Sequence, residues 1–364
     1  MSAANGSEGA RASRRTLAGI ALAFGVAAVL GVLHYTTDSY VTQFVVGIVA
    51  LSGLAWTVGV GTEAVGARFG PAITGVLQST LGNLPELFIV IFALRAGEVL
   101  VAQTSIIGSL LANALLVLGL AIVAGSWRSP DGVMRFGRRL PNDTATLLLL
   151  AVFIIAILAT SVTLEDAAAD NAVEISVVGA VLLLAVYAAW VVSYLRAGGE
   201  QEPALEHQHG PPLGFVPGIV VLALAGVAAA FTSEWFVAAI DPAVEELGIS
   251  KAFTGLVIVA IAGNAVENVV GIQLALKNEA ELAISVVKNS VAQIAAFLYP
   301  ALVLVSLLFE NRLTFAAPSL VLVVALAFAA LAIWQITGDG EAAGYEGFAL
   351  VAVYATLATV YWFE

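Results

Sequence analysis

The sequence predicts an all-α polytopic membrane protein of about eleven transmembrane helices, one N-terminal helix followed by two inverted five-helix repeats. Three observations carry this. The 364 residues are 60% hydrophobic and only 11% charged, where soluble domains carry about 25% charged residues. Apolar runs of span length follow one another, separated by charged or Gly/Pro-rich breaks. And Gly82-Asn83-Leu84-Pro85-Glu86 recurs as Gly263-Asn264-Ala265-Val266-Glu267, with its Gly, Asn and Glu each displaced by 181 residues.

A helix needs about 20 apolar residues to cross a bilayer. After a tail at 1–15 that contains Arg11, Arg14 and Arg15, the first such run is 16–34. It lacks a clear small-residue cleavage site and many spans follow, so it reads as a span rather than a signal peptide. The first repeat, 42–195, holds the runs 42–64, 72–94, 99–124, 143–161 and 173–195. An acidic loop at 196–213 leads to the second repeat, 214–362, with runs at 214–233, 252–276, 280–308, 313–336 and 343–362. Arginines in the tail and at 128, 135, 138 and 139 put the N-terminus and the fourth loop in the cytoplasm. Arg68, Arg196 and Lys277 fall on the same side. The acidic groups Glu165, Asp166 and Asp170, and Asp241, Glu245 and Glu246, fall in external loops, and the C-terminus is external. A prokaryotic plasma membrane is the expected location. The two Glu motifs lie in the third and eighth spans, five spans apart, so they run in opposite directions. Inverted repeats of this kind are common in secondary transporters, with the ion site near the midplane.

Composition also excludes. With no cysteine, disulfides, thiolate metal sites and thiol catalysis are ruled out. The three histidines, His34, His207 and His209, lie outside the Glu-bearing spans. There is no HExxH, and the seven aspartates fall in loops or at span ends, so no catalytic pair is available and the chain reads as no enzyme. No cofactor is expected and no nucleic acid partner. A channel can line a pore with Glu, but inverted repeats favour alternating access. His207 and His209 among Glu200, Glu202 and Glu206 read as an acidic linker, and Gly338-Asp339-Gly340 as a turn.

A carboxylate at membrane depth is costly and marks an ion or proton path. Asn83 and Glu86 are i, i+3, as are Asn264 and Glu267, so each pair shares a face. Twenty-three residues after each Glu comes a serine, Ser109 or Ser290. Ser105, Ser109 and Asn113 repeat every four residues on one face. Asn289 and Gln293 do the same in the second repeat. Carboxylates, amide oxygens and hydroxyls make a hard oxygen site of the type Ca²⁺ takes, and no soft ligand competes. Pro85 lacks a backbone donor and frees the Leu81 carbonyl, tolerable where it lines a cavity. Once the cation leaves, low dielectric favours the neutral form of both carboxylates. A site that holds either a divalent cation at Glu86 and Glu267 or protons is the minimal design of an exchanger.

The stretches 75–119 and 253–300 resemble the two alpha-repeats of the calcium/cation antiporter superfamily, closest to the cation/proton exchangers, whose first repeat reads GN-x-PE and then GS-x-L-x-N-x-LLVLG. The resemblance implies that Glu86 and Glu267 bind the cation and take up protons. It implies that Glu63 and Glu234, after Thr62 and Ser233, support proton movement or recruit cations. The expected partners are then Ca²⁺ and H⁺ and the lipid bilayer, with Na⁺-coupled exchange as the alternative and the oligomeric state open. The second repeat departs from the pattern. Asn268 stands where relatives carry a His, Asn289 where they carry a Gly, and Lys288 adds a cation where the first repeat has Ile107. A cavity-facing Lys288 would compete with a divalent ion and favour a monovalent one. A Lys288 that snorkels from a helix end would do neither.

Overall fold

The computed structural model describes residues 2–66, 68–69, 81–137, 139–196 and 213–364, with the side chains of 2–13, 139–141, 194–195 and 266–267 left aside. The helices are α1 (Ser2–Thr36), α2 (Tyr40–Gly66), α3 (Leu84–Ala96), α4 (Val99–Arg128), α5 (Arg139–Thr163), α6 (Ala172–Arg196), α7 (Phe215–Leu247), α8 (Lys251–Gly263), α9 (Ala265–Leu276), α10 (Ala280–Ser306), α11 (Leu320–Thr337) and α12 (Gly344–Trp362). Among the described residues eight helices are long and apolar enough to cross a membrane, or nine with α8 and α9 as one bent span. The expected span 72–94 is described only from Leu81, and nearly all of the acidic loop, including His207 and His209, lies outside the described residues.

The chain forms two compact units. Unit 1 comprises residues 1–89 and 194–248. Here α2 and α7 approach closely because glycine faces the partner backbone. A Cβ on Gly61 would lie 3.1 Å from the Leu222 nitrogen, and one on Gly218 would lie 2.7 Å from the Ala64 Cβ. The helix α1 covers this pair, with Ala27, Ala50, Leu54 and Ala229 in a shared apolar cluster. Small residues are what allow such approach in lipid, where dispersion rather than water exclusion drives helix association.

Unit 2 comprises residues 90–193 and 249–364. Its loops sort to two ends. At one end a short antiparallel pair, β1 (Val133–Arg135) and β2 (Glu341–Ala343), joins the loop after α4 to the loop after α11. There the Gly137 N–H donates to Glu281 Oε2 at 3.0 Å. The Arg135 guanidinium holds the Asp131 carboxyl below the usual carboxylate range. At the other end Lys251 pairs with Glu98 at 2.9 Å, Ser250 donates to the Tyr361 carbonyl and Asn311 donates to the Leu94 carbonyl. The loops after α4, α9 and α11 thus share one end of unit 2, and the loops after α3, α7 and α10 share the other.

Three expectations need correction. The run 214–233 does not end there: α7 continues to Leu247, so Asp241, Glu245 and Glu246 are exposed residues of its last turns rather than a loop. Pro242 costs one backbone bond but leaves Phe236, Ile240, Ala243 and Val244 on a buried face, and Gly248 at φ 66° stops the helix. The run 313–336 is helical only from Leu320, which Ser319 caps. Its apolar start is a buried extended segment, in which Gln103 donates to the Thr314 and Ala316 carbonyls and Ser176 accepts from the Phe315 N–H. The strands β1 and β2 were not expected at all.

Candidate ion site

Both Glu motifs sit at breaks between helical segments. Asn264 (φ −105°, ψ 19°) separates α8 from α9, and the axis turns by 58° there. Asn83 is likewise a turn residue ahead of α3. The backbone repeats the sequence offset: the Leu87 N–H donates to the Asn83 carbonyl at 2.9 Å, and the Asn268 N–H to the Asn264 carbonyl at 3.0 Å. Each break therefore opens a new helix whose third residue is the Glu. Its first-turn amides lack helical partners and its dipole presents positive charge, which favours a carboxylate. Pro85, at the second position of α3, gives up a donor that the helix start does not need.

In unit 1, Asn83 and Glu86 are buried, at 6% and 2% exposure. Glu63 on α2 is half-buried and Glu234 on α7 is exposed. The side chain of Glu267 lies outside the described residues.

In unit 2 four of the predicted residues form one buried network. Asn113 Nδ2 donates to Asn264 Oδ1 at 3.1 Å and to Ser290 Oγ at 3.0 Å. Asn264 Nδ2 donates to Ser109 Oγ at 2.9 Å and to the Ala260 carbonyl at 3.0 Å. The network thus joins α4, the α8/α9 break and α10, drawing on both halves of the chain. Asn113 Oδ1 is buried without a hydrogen-bond partner among the described residues. The cluster is hydroxyls and amides, an oxygen-rich donor set suited to a hard cation.

The remaining predicted residues go elsewhere. The Ser105 hydroxyl donates back to the Ala102 carbonyl. Asn289 is half-buried and its amide reaches Ser285 Oγ at 3.4 Å; Gln293 is buried. Asn268 Nδ2 reaches across the break to the Ile261 carbonyl at 3.4 Å. Lys288 does not snorkel: it is 1% exposed and its Nζ donates to Thr337 Oγ1.

Two features escaped the sequence. A π-helical turn follows each serine, at Ala112–Val117 in α4 and Ile294–Leu298 in α10, in matching positions of the duplicated frame. Such turns insert a residue into the helix and cluster at functional sites. The crossing of α4 with α8 is also tighter than a polar stripe announces. A Cβ on Gly108 would strike the Leu256 backbone, and one on Gly255 would strike Thr104.

This duplicated arrangement has known counterparts. The family model described as sodium/calcium exchanger protein matches residues 39–195 and 217–363, both halves of the chain. The chain belongs to the sodium/calcium exchanger family. Within it, the chain is 31% identical over 351 residues to a Ca²⁺/H⁺ antiporter of Synechocystis sp., covering 91% of this chain and 93% of that one. It is 32% identical over 324 residues to the Ca²⁺/H⁺ antiporter ChaA of Bacillus subtilis, covering 86% and 90%. The solved structure of native YfkE superposes with a TM-score of 0.79 at 26% identity, over 96% of this chain and all of that one. The H⁺/Ca²⁺ exchanger CAX shares the fold, with a TM-score of 0.72 at 16% identity over 96% and 92%. The family is one of integral membrane transporters, and the all-helical architecture is theirs.

Proposed function

We propose that this chain is a secondary active antiporter that exchanges Ca²⁺ for H⁺ by alternating access. The observation that carries the reading is the duplicated break, Asn then Glu at a helix start, with Asn264 of the second break held in a network of buried amides and hydroxyls. Relatives that match about nine-tenths of the chain bear Ca²⁺/H⁺ antiporter names.

In this reading Glu86 and Glu267 bind the cation, with Asn83, Asn264, Ser109 and Ser290 adding neutral oxygens. When the cation leaves, the same carboxylates take up protons, because two bare charges in low dielectric are costly. One ion class replaces the other and the empty charged site is never exposed. Glu63 and Glu234 serve proton entry or cation recruitment. The chain works as a tail at 1–15, an extra helix at 16–34, and repeats 42–195 and 214–362 joined by the loop 196–213. Alternating access needs the segments 42–64 and 214–233 to move as one. Their close packing through Gly61 and Gly218 supports this. The arginine-bearing end of unit 2, with β1 and β2, faces the cytoplasm by the positive-inside rule.

The test is transport in inside-out vesicles. With an acid lumen, Ca²⁺ accumulates inside as protons leave. If a Na⁺ gradient replaces the pH gradient and drives the same uptake, the coupling ion is Na⁺ and the proton reading falls.

A further inference from the structure

The two halves differ sharply at position 288. Its counterpart 181 residues earlier is Ile107, which is fully buried. Lys288 is just as buried, at 1% exposure. An aliphatic side chain satisfies this position in one half, so packing alone does not call for an amine in the other. Burying an ammonium is expensive unless it is well hydrogen-bonded. Here Nζ donates to Thr337 Oγ1, and that hydroxyl donates to the Ile333 carbonyl. Thr337 is the last residue of α11. The C-terminal end of a helix carries the negative end of its dipole and favours a cation. These contacts fix the position of the amine.

Lys288 and Ser290 lie two residues apart on α10, about 200° around the helix. Ser290 faces the network with Asn113, whereas Lys288 stands on the opposite wall of the same helix. The ammonium is therefore no ligand of the ion, but its field crosses the helix. Inside the membrane-embedded core there is little salt to screen it. Repulsion scales with the charge of the ion, so a divalent ion feels twice what a monovalent ion feels.

We propose that Lys288, in its ammonium form, sets the valence preference of the exchange site, weakening divalent against monovalent binding. This rests on the antiporter reading for the location of the site. For charges about 10 Å apart at an effective dielectric of about 20, each unit of ion charge shifts affinity roughly tenfold. Neutralising Lys288 therefore raises the Ca²⁺-over-Na⁺ affinity ratio by about tenfold.

The experiment is ion binding to purified full-length protein, read as the ion-dependent shift of thermal unfolding in CaCl₂ and NaCl titrations. Binding is measured apart from transport, so a failure of proton coupling does not decide it. Lys288→Met and Lys288→Gln are expected to raise the Ca²⁺/Na⁺ ratio, and Lys288→Arg to keep the wild-type ratio. Thr337→Val removes the hydroxyl that holds the amine, and is expected to lower stability. If either neutral variant binds both ions with the wild-type ratio, the proposal is overturned. It is equally overturned if Lys288→Arg, which keeps a positive charge, reproduces the Lys288→Gln ratio, because Lys288 is then only a structural tie.

Discussion

Asn113 and Asn264, 151 residues apart in sequence, share a 3.1 Å hydrogen bond between fully buried side chains. This bond ties the α4 helix of the first half to the helix break of the second. Asn264 spends its amide on Ser109 and on the Ala260 carbonyl, so its orientation is fixed from two sides.

Removing either amide leaves partners buried and unsatisfied. Asn264→Ala is expected to destabilise by about 1–3 kcal/mol and to depress transport more than stability. Asn113→Ala acts through the same network, so the double variant is less damaging than the sum of the two. A double-mutant cycle on thermal unfolding measures the coupling, expected at about 0.5–3 kcal/mol. Additive effects would mean that the bond contributes nothing.

Gly108 and Gly25 make a paired prediction. A Cβ at Gly108 meets the Leu256 backbone, while at Gly25 nothing lies within 4 Å. Gly108→Ala is expected to force α4 and α8 apart and cost stability and transport. Gly25→Ala leaves transport intact and is neutral or stabilising by up to about 1 kcal/mol, the helix-propensity gain of alanine. Melting temperatures of the two variants in one detergent make the comparison.

Lys251 and Glu98 join the ends of α4 and α8 at 2.9 Å. The lysine side chain is 38% exposed, so screening limits the pair to less than about 1 kcal/mol. Lys251→Met is expected to lower the melting temperature slightly at low ionic strength and not at all in 1 M salt. A large salt-independent loss would assign the pair a buried role.

Asn268 spans the break with a long bond to the Ile261 carbonyl. Loss of so weak a contact in Asn268→Ala is expected to cost under about 1 kcal/mol in unfolding. It frees the break to flex, so the apparent Ca²⁺ affinity moves while the fold holds. Parallel measurement of the transport KM and the melting temperature checks this split.

What could be read from the chain follows from physics of different range. The residues of the network, though not their hydrogen bonds to one another, were legible because duplication left a constant offset and i, i+4 spacing on a helix fixes a shared face. The length of α7 was obscured by Asp241, Glu245, Glu246 and Pro242, which break the hydropathy although the buried positions Phe236, Ile240 and Ala243 keep the helical period. The stretch 313–317 is apolar for a different reason: Phe315 packs on Tyr299, at 4.8 Å between ring centroids, in an extended segment. Its backbone partners, Gln103 and Ser176, come from distant helices. Three-residue strands carry no detectable period. Where Lys288 points depends on Thr337, 49 residues away, and no local pattern encodes that.

The central claim is that Glu86 and Glu267 carry both ions. It is tested by Ca²⁺ uptake into inside-out vesicles with an acid lumen, comparing the wild type with Glu86→Gln and Glu267→Gln. Each variant, correctly inserted, is expected to lose pH-driven Ca²⁺ uptake. Uptake at the wild-type rate in either variant would contradict it.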